Sequence, residues 1–518
     1  MGHLGLDPRP ALSQKAGNNP IGMQKVSHAA VPLGSTQTEP GYDAHCKVPS
    51  GHLPKADSQQ ALTAPSRWLS LRYIRFSLQI RAAGGTVHGT TQPKPKHPAR
   101  PGGNRAMALP SRLSRRAALL TLGSAAAALP RSASAQRPTI RIGVLNDQSG
   151  PYKDISGPVA VACVRQAVRE FGDQGFAVDV ISADHQNKAD VGAAVARQWC
   201  DQGGVDMIAD LTASSVALAV NGVVRDKNKV MVTSSSATTD LTGPQCSPNT
   251  VQWTFDVYML AKATATAVVK DGGESWFILY ADYVFGQQLA RYATRFVTEG
   301  GGQVLASVAY PFPGTTDFSS FLLAAKASGA TVLGLAMVGA DLINCVKQAR
   351  EFGLPSAMRL GALDMHLADV HGLGLEAAQG LLLCAPFYWD LNERTRAFTQ
   401  RLLRDQDPPL YPGMGHAGCY AGTLHYLKAV AALGAAKAKA DGVAVVAQMK
   451  AMPTDDDAFG QARIRQDGRY LGPAYLFLVK SPAESKKPWD YCALVDSLPR
   501  DAIWRPLSEG GCPLVKAG

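Results

Sequence analysis

The sequence predicts an α/β protein made of two similar lobes, each a doubly wound parallel sheet covered by helices on both faces. From Thr139 the chain alternates short β-branched runs with helical stretches, and after a break at TTDLTGPQCSPNTVQWTFDVY the alternation starts again in the same order. Alternation of this kind is typical of parallel sheets. Ligands of such sheets bind beyond the carboxyl ends of the strands, so we expect the two lobes to face each other across a crevice.

The first series predicts four strands and three helices. Short apolar runs bounded by turn residues indicate buried strands, and apolar residues at helical spacing indicate helices. The first helix is expected to end at Gly172, because glycine readily terminates helices. In chain order the segments are TIRIGVL, VAVACVRQAVREFG, FAVDVISAD, ADVGAAVARQWCDQGG, VDMIADL, SSVALAVNGVVRDKN and VMVTSSS.

The second series repeats this order without close sequence identity to the first. It begins with the helix MLAKATATAVVKDGG and continues through SWFILYAD, GQQLARYATRFVTEGG, QVLASVAY, DFSSFLLAAKASG, TVLGLAMV and ADLINCVKQAREFG. Strands are expected near MRLGALD and GLLLCAPFYW. The glycine-rich GMGHAGCYAG (413–422) is interpreted as a loop before the helix YAGTLHYLKAVAAL.

The first 135 residues differ from the rest in composition and charge. They hold 17 Lys and Arg against 4 Asp and Glu, whereas the remainder holds 35 against 37, so the net charge of +11 comes from this segment. A nearly neutral folded part argues against a nucleic-acid partner. Residues 1–106 are rich in Pro, Gly, Ser and His, and are expected to be either a disordered extension or upstream sequence read as protein.

Residues 107–135 have the pattern of an export signal. MALPSRLSRR is a basic region starting at Met107, AALLTLGSAAAALP is an apolar region too short to span a bilayer, and ASA supplies small residues for cleavage near Ala135. Arg115 and Arg116 partly match a twin-arginine signal, and both the twin-arginine and the general secretion routes stay open. The signal predicts a periplasmic protein that does not itself span the membrane.

Polar loops follow three strands of the first series. They contain Ser149 and Tyr152 after the first strand, Ser214 and Ser215 after the third, and Ser236 and Thr238 after the fourth. Hydroxyls and free backbone N–H groups at helix starts suit a carboxylate or another anion. Ordinary helix capping explains any one such residue equally well. Convergence of three loops on one crevice favours a binding site.

The segments IGVLNDQSGPYKDISGP, VMVTSSSATTDLTG, ADYVFGQ and GLEAAQGLL resemble the periplasmic solute-binding proteins of the branched-chain amino acid (Leu/Ile/Val-binding) type. The resemblance covers essentially all of the chain after Thr139. It implies a type I periplasmic binding fold with a three-segment hinge, whose crossings we place near Asp256, Trp389 and Pro453. The implied first lobe is 136–255 plus 390–453, and the second is 256–389 plus 454–518.

The same resemblance implies a set of ligand-binding residues. The SGPY loop, Ala213 and Ser214 fit the pattern, as do Ser236 and Thr238. Asp256 matches an acid that holds the α-ammonium group in amino-acid binders, although capping of the next helix explains it equally well. Phe285 stands where amino-acid binders often have tyrosine, and the nearby Tyr283 is expected to substitute for it. Asp364 is an approximate match to the second acid of those binders.

The ligand class stays open among several small polar molecules. Because the match at Phe285 and Asp364 is incomplete, a branched-chain amino acid-like ligand, an aromatic acid, an amide and urea all remain candidates. Aromatic side chains could stack on a flat organic acid or could simply pack in the core or hinge. The side chains concerned are Tyr152, Trp253, Tyr283, Tyr388 and Trp389.

The predicted function is the substrate-binding component of an ABC importer, a monomer that delivers a small ligand to a membrane permease. The alternative is a ligand sensor of the same fold that partners a receptor or a regulator. The chain lacks the G-x-S-x-G, G-x-x-x-x-G-K and H-E-x-x-H patterns, so we expect neither enzymatic activity nor a cofactor. His366, in DMHLADVHGLG, is more often a solvated loop residue than a metal ligand.

Cysteines supply one further prediction. Cys246 and Cys512 lie in Pro-flanked loops, and exported proteins can keep disulfides, so we predict a Cys246–Cys512 bond. Cysteines on apolar helical faces or in an apolar strand are interpreted as small buried hydrophobes. These are Cys163, Cys200, Cys345 and Cys384.

Overall fold

The computed structural model describes residues 137–406 and 409–515, and the first of its two parallel sheets is formed by the N-terminal part of this range. The sheet has five parallel strands in the order β2-β1-β3-β4-β5. The strands are β1 (Thr139–Asn146), β2 (Ala177–Asp184), β3 (Met207–Asp210), β4 (Val230–Thr233) and β5 (Thr250–Gln252). The strand β5 was not expected from the sequence and lies inside the predicted break. The predicted extension and export signal lie outside the described residues.

Three helices connect the strands of this first sheet. They are α1 (Gly157–Phe171), α2 (Ala189–Asp201) and α3 (Ser214–Asp226). The sequence places small or β-branched residues on their buried sides, as in α3, where Val216, Ala217 and Val220 are fully buried. The strands β3 and β4 are buried along their whole length, which explains why each begins with three apolar residues, and each ends in a polar residue, Asp210 or Thr233.

The second sheet has four parallel strands in the order β7-β6-β8-β9. The strands are β6 (Ser275–Ala281), β7 (Gln303–Tyr310), β8 (Val332–Ala336) and β9 (Arg359–Ala362). The helices of this region are α4 (Val257–Lys270), α5 (Val284–Glu299), α6 (Ser319–Ala327), α7 (Ala340–Glu351), α8 (Leu367–Leu373) and α9 (Leu375–Ala378). From α4 to β9 the order of strands and helices is the one that the sequence predicts, whereas the short helices α8 and α9 were not expected. The fold class of paired parallel-sheet lobes is confirmed.

The strand expected near GLLLCAPFYW exists but does not join a parallel sheet. It is β10 (Leu382–Ala385), and it pairs antiparallel with β13 (Ala474–Val479), which in turn pairs antiparallel with β14 (Cys492–Leu498). Between them in the chain lie β11 (Arg463–Ile464) and β12 (Tyr470–Leu471), an antiparallel ribbon next to β5 through the Gln252–Arg469 bridge.

The helices of the C-terminal part include α10 (Glu393–Leu403), α11 (Met414–Leu433), α12 (Ala435–Ala440), α13 (Gly442–Ala451) and α14 (Arg500–Ile503). The interpretation of GMGHAGCYAG as a loop is wrong, because α11 begins at Met414. Glycines allow this helix to lie directly on the first sheet. A Cβ atom at Gly418 would lie 2.0 Å from Thr254 Oγ1, and one at Gly422 would lie 2.7 Å from Val232 Cγ1.

The C-terminal tail is fastened to the segment that precedes β5. Cys246 and Cys512 form a disulfide with their Cα atoms 5.6 Å apart. Beside it, Arg505 Nη2 donates to the carbonyl oxygens of Thr239 at 2.9 Å and Thr242 at 3.1 Å. Among the described helices, none is long and apolar enough to span a membrane.

Candidate ligand-binding site

A small cavity lies between the two parallel sheets, and residues that follow the carboxyl ends of their strands line it. Its volume of about 10 Å³ is room for roughly one water molecule. The lining is shared by both sides and by the connecting segment at Phe255. It consists of Tyr152, Ile155, Thr212, Ser235, Ala237, Phe255, Tyr283, Phe285, Val338, Asp364 and His366. The crevice expected from the fold class is therefore present in a closed form.

Two larger clefts, of about 530 and 420 Å³, open on the surface elsewhere. One lies beside the segments around Pro386 and Phe459, and the other is at the opposite end of the second sheet, near Thr331 and Arg359. Neither is formed by the loops at the carboxyl ends of both parallel sheets, which makes the smaller cavity the better candidate for a binding site.

The loop after β1 is shaped by the carboxylate of Asp147. Its oxygens accept the backbone N–H groups of Gly150 at 2.7 Å and Tyr152 at 2.8 Å. This turn directs the buried Tyr152 into the cavity and engages two N–H groups that the sequence suggested for a ligand. Ser149 instead donates to Asp184 Oδ2 at 2.5 Å, on the exposed side of the loop. Its side chain does not line the cavity.

A second buried carboxylate, Asp210 at the end of β3, holds the loops around it. It accepts hydrogen bonds from the side chains of Asn146 at 3.0 Å, Ser156 at 2.5 Å and Ser235 at 2.6 Å. Asp210 and the following Leu211 have φ values of 78° and 63°, a strained conformation that persists only where the surroundings fix it. Because the Ser235 hydroxyl donates to Asp210, only its oxygen is left to accept a bond.

The start of α3 offers unsatisfied donors beside the cavity. Ala213 is the N-cap residue and supplies no side-chain cap, so the first N–H groups of this helix, at Ser214 and Ser215, have no capping side chain. Thr212 Oγ1 is buried and has no hydrogen-bond partner among the described residues. The side chains of Ala213, Ser214 and Ser215 do not line the cavity, whereas that of Thr212 does. A helix start with an adjacent free hydroxyl suits a carboxylate.

The loop after β4 contributes a contact between the two sides. Thr238 Oγ1 donates to Gln288 Oε1 of α5 at 3.0 Å, and the backbone N–H of Thr239 donates to the same oxygen at 3.0 Å. Ser236 Oγ is buried without a partner among the described residues, but the cavity lining at this loop is Ser235 and Ala237.

Asp256 lies outside the cavity and has two structural partners. Its Oδ1 accepts the backbone N–H of Met259 at 2.9 Å, so it caps α4. Its Oδ2 lies 3.8 Å from the guanidinium of Arg469, which also donates to the carbonyl oxygen of Phe255. The neighbouring Phe255, rather than Asp256, reaches the cavity.

Two tyrosines meet across the crevice. The hydroxyl oxygens of Tyr152 and Tyr283 are 2.8 Å apart, and both rings stack on Phe312, with centroids 5.4 and 4.7 Å away. Burial raises the pKa of both phenols, so they stay neutral. A backbone hydrogen bond of 3.1 Å from Ala340 to the carbonyl oxygen of Pro151 adds to this closure.

Asp364 and His366 form a buried ionic pair on the second side. His366 Nε2 lies 3.4 Å from Asp364 Oδ1, and each side chain is only 2% exposed. Burial by itself lowers the pKa of His366, but the carboxylates of Asp364 and Asp369 outweigh it and raise the pKa above its ordinary value. Neither ring nitrogen has a well-aligned hydrogen bond among the described residues.

Sequence reasoning found part of this lining. Of the residues carried forward as ligand contacts, Tyr152, Tyr283 and Asp364 line the cavity, and Thr212 and Ser235 lie in loops that it singled out. His366 was considered only as a metal ligand. The sequence signal for His366 as a site residue is its position shortly after the end of β9 at Ala362, because residues beyond strand ends converge on the crevice.

Comparisons with known proteins agree on one family. A model of the periplasmic binding protein family matches residues 139–486. A periplasmic binding protein of Burkholderia mallei is 41% identical, with a TM-score of 0.70 over 73% of this chain and 99% of that one. A branched-chain amino acid ABC transporter periplasmic ligand-binding protein of Burkholderia xenovorans is 36% identical, with a TM-score of 0.64 over 72% and 99%. The Leu/Ile/Val-binding protein homolog 6 of Brucella melitensis is 24% identical over 62% of this chain and 83% of its own length.

Proposed function

The chain belongs to the periplasmic binding protein family and is a substrate-binding protein, and on this premise we propose that it captures a small carboxylate-bearing ligand for an ABC importer. The ligand would bind in the crevice between the sheets, and the closed protein would present it to a membrane permease. The relatives are transport proteins, which favours this role over that of a ligand sensor. We propose no catalytic step.

The observation that carries the proposal is the shared lining of the closed cavity. Residues after strands of both sheets meet there, and unpaired polar atoms from each side, at Thr212 and His366, point to a ligand that would satisfy them. Since the cavity holds only about one water, a ligand enters after the two sides separate. Hinged opening and closing is a common way for such crevices to admit a ligand.

We assign the carboxylate of the ligand to the first side. The start of α3, from Ala213 to Ser215, would provide backbone N–H groups, and Thr212 would provide a hydroxyl. The aromatic rings of Phe255 and Phe285 and the paired tyrosines give the remaining walls an apolar surface. This combination suits a compact organic acid, and a branched-chain amino acid, an aromatic acid, an amide and urea remain the compounds to test.

Packing also supports a proposal for the lobes. The ribbon of β11 and β12 stays beside β5, so we place the third crossing at 472–473, after the ribbon, instead of near Pro453. The first lobe would then comprise 137–255 and 390–471, and the second 256–389 and 474–498. We further propose an exported, periplasmic monomer, in keeping with the family.

A thermal-shift and calorimetric screen of the purified protein tests the binding function. The panel contains branched-chain amino acids, aromatic acids, simple amides and urea. A ligand at a hundred times its Kd adds about 2.7 kcal/mol to the free energy of unfolding, which is readily measured. Thr212→Val, which keeps the shape of the side chain but removes its hydroxyl, should weaken binding of the best acid about tenfold.

Ser149→Ala is the matched control, because Ser149 is a hydroxyl of the same crevice rim whose side chain faces away from the cavity. It should leave affinity unchanged. Failure of every compound in the panel to bind would contradict the proposed function. Equal losses in the two variants would contradict the position assigned to the carboxylate.

A further inference from the structure

His366 lies between the candidate binding cavity and a second small cavity that is lined mostly by apolar residues. The second cavity has a volume of about 10 Å³. Its other lining residues are Met365, Leu367, Leu383, Ala385, Phe387, Tyr388, Pro412, Gly413 and Met414. The ring of Phe255 packs edge-on against the imidazole, with centroids 5.3 Å apart. Asp364, the nearest carboxylate to the imidazole, lies on the side of the binding cavity.

Two carboxyl groups near this imidazole, those of Asp364 and Asp369, raise its pKa. The residues that face it are Asp364, Asp369, His416, Tyr283 and Tyr388. Burial raises the pKa of both phenols, which keeps them neutral. Burial also raises the pKa of Asp369, whose Oδ2 accepts the backbone N–H of His366 at 2.8 Å.

His416 on α11 does not compete for the positive charge. Its Nδ1 lies 3.0 Å from the backbone nitrogen of Gly413 and accepts that N–H, and its Nε2 lies 2.9 Å from the carbonyl oxygen of Ser156. Burial lowers the pKa of His416 to about 4. One neutral and one cationic imidazole are thus the arrangement that the surroundings support.

A cationic His366 has more hydrogen-bonding capacity than the protein uses. An imidazolium carries two N–H donors. Asp364 is 3.4 Å away and supplies charge, but neither donor has a well-aligned acceptor among the described residues. Buried donors without acceptors are costly, so an acceptor from a ligand would be strongly favoured here.

We propose that the second-lobe end of the binding site is an acceptor subsite, in which His366, with Asp364 as its counterion, binds a carboxylate or carbonyl oxygen of the ligand. The inference rests on the proposed binding function and names its substrate class: small dicarboxylates and oxo acids rather than α-amino acids. The first carboxylate binds at Thr212 and the start of α3, and the second acceptor binds at His366.

An α-amino acid fits this end poorly for an electrostatic reason. Its ammonium group would be placed beside an imidazolium, and the nearby carboxylate of Asp364 already has that imidazolium as its partner. Like charges in a buried site repel strongly because little water screens them. Deprotonation of His366 would free Asp364 for an ammonium group, so the two ligand classes should respond to pH in opposite directions.

Calorimetry on the full protein with matched compounds tests the subsite. Norvaline, pentanoate and glutarate share a five-carbon chain, and benzoate and terephthalate share a ring. We expect glutarate or terephthalate to bind at least about tenfold more tightly than its monocarboxylate partner, the gain of about one charged hydrogen bond. The preference should be greatest where both carboxyl groups of the ligand are ionised and His366 still carries its proton, and it should fall as rising pH removes the imidazolium proton.

His366→Gln should remove the preference for the dicarboxylate together with its pH dependence, while monocarboxylate binding persists. His371→Gln is the matched control, since His371 lies on the same helix but is exposed and stacks on Trp489. Melting curves of both variants establish that they fold. A pH-independent preference, or norvaline binding more tightly than glutarate, would overturn the subsite and leave the binding function intact. If no acid binds the unaltered protein at all, the binding function and the subsite both fall.

Discussion

The two sides of the crevice, called here the first wall (loops after β1, β3 and β4) and the second wall (loops after β6, β8 and β9), differ in the number of hydrogen bonds that their buried carboxylates accept. On the first wall, Asp147 and Asp210 are surrounded by donors of the protein itself, from backbone N–H groups to the hydroxyls of Ser156 and Ser235. On the second wall, Asp364 has one imidazole at 3.4 Å. The carboxylates of the first wall receive their donors from the protein, and the unpaired groups of this wall are Thr212 and the start of α3, whereas on the second wall the imidazole beside the carboxylate lacks aligned acceptors.

This difference indicates a division between folding and recognition. A buried carboxylate with several donors fixes the loops that carry them, since each broken bond would leave a buried group unpaired. A wall with unpaired donors gains most when a ligand arrives. We therefore expect changes at Asp147 and Asp210 to act mainly on stability, and changes at Thr212 and His366 to act mainly on binding, with pH dependence at His366.

The largest expected effect is on the first wall. Asp210→Ala removes the acceptor shared by Asn146, Ser156 and Ser235 and leaves these buried donors unsatisfied. Unfolding in urea should show a loss of about 3 kcal/mol or more. Asp179→Ala is the control, because Asp179 is 43% exposed in a surface ion pair with Arg141 and should cost less than about 1 kcal/mol. Equal losses in the two variants would remove the distinction between the walls.

The second prediction concerns Asp341, which begins α7 behind the second wall. Burial raises the pKa of its carboxyl to about 6, although Tyr310 donates to it at 2.7 Å. The unfolded chain releases this proton near its ordinary pKa of about 4, so stability decreases as pH rises from about 4 to about 6 and stays lower above that. Asp341→Asn should accordingly raise the free energy of unfolding near neutral pH by about 2 kcal/mol and have little effect near pH ~4.

The matched substitution is Asp317→Asn. Asp317 is exposed, and its hydrogen bonds from Ser319 lower the pKa of its carboxyl. This variant should show no gain at neutral pH. Denaturant unfolding across the pH range distinguishes the two, and a destabilised Asp341→Asn at neutral pH would show that this carboxylate is held ionised.

Periodicity was sufficient for the fold, because short apolar runs alternating with helices leave few arrangements other than parallel sheets. Periodicity was insufficient to predict those elements whose structure depends on contacts with distant parts of the chain. The glycines of GMGHAGCYAG are used for close packing of α11, as the contact distance at Gly418 demonstrates, whereas glycine alone suggested a loop. Likewise, β10 pairs antiparallel because its neighbour β13 arrives from the far C-terminal part of the chain.

For the candidate site, too, one part could be predicted from the sequence and another part could not. Loops after strands were predictable, since strand ends in a parallel sheet share one edge. Which side chain of a loop turns inward was not, because it depends on partners far away in sequence. Asp147 turns Tyr152 inward, and Asp184 holds Ser149 outside. Asp256 could equally have been a ligand group or a cap, and the position of Arg469 next to it could not be read from local sequence.

The smallest expected effect tests the contact between the walls. A double-mutant cycle with Tyr152→Phe and Tyr283→Phe removes the hydroxyl pair at 2.8 Å without changing the stacked rings. The coupling energy in the free energy of unfolding should be about 1 kcal/mol, that of one neutral hydrogen bond. Ligand affinity should show coupling only as far as the contact differs between the free and the bound protein.

A control cycle pairs Tyr152→Phe with Tyr475→Phe on β13, a side chain that does not line the cavity, and should be additive. The free-energy effects of the substitutions at Tyr152 and Tyr283 could be additive in the free protein but coupled once ligand is bound. That result would mean that the walls come together only around the ligand. Coupling of equal size in both states would instead mean that the two walls are already in contact before any ligand arrives, which leaves the unpaired groups at Thr212 and His366 for recognition.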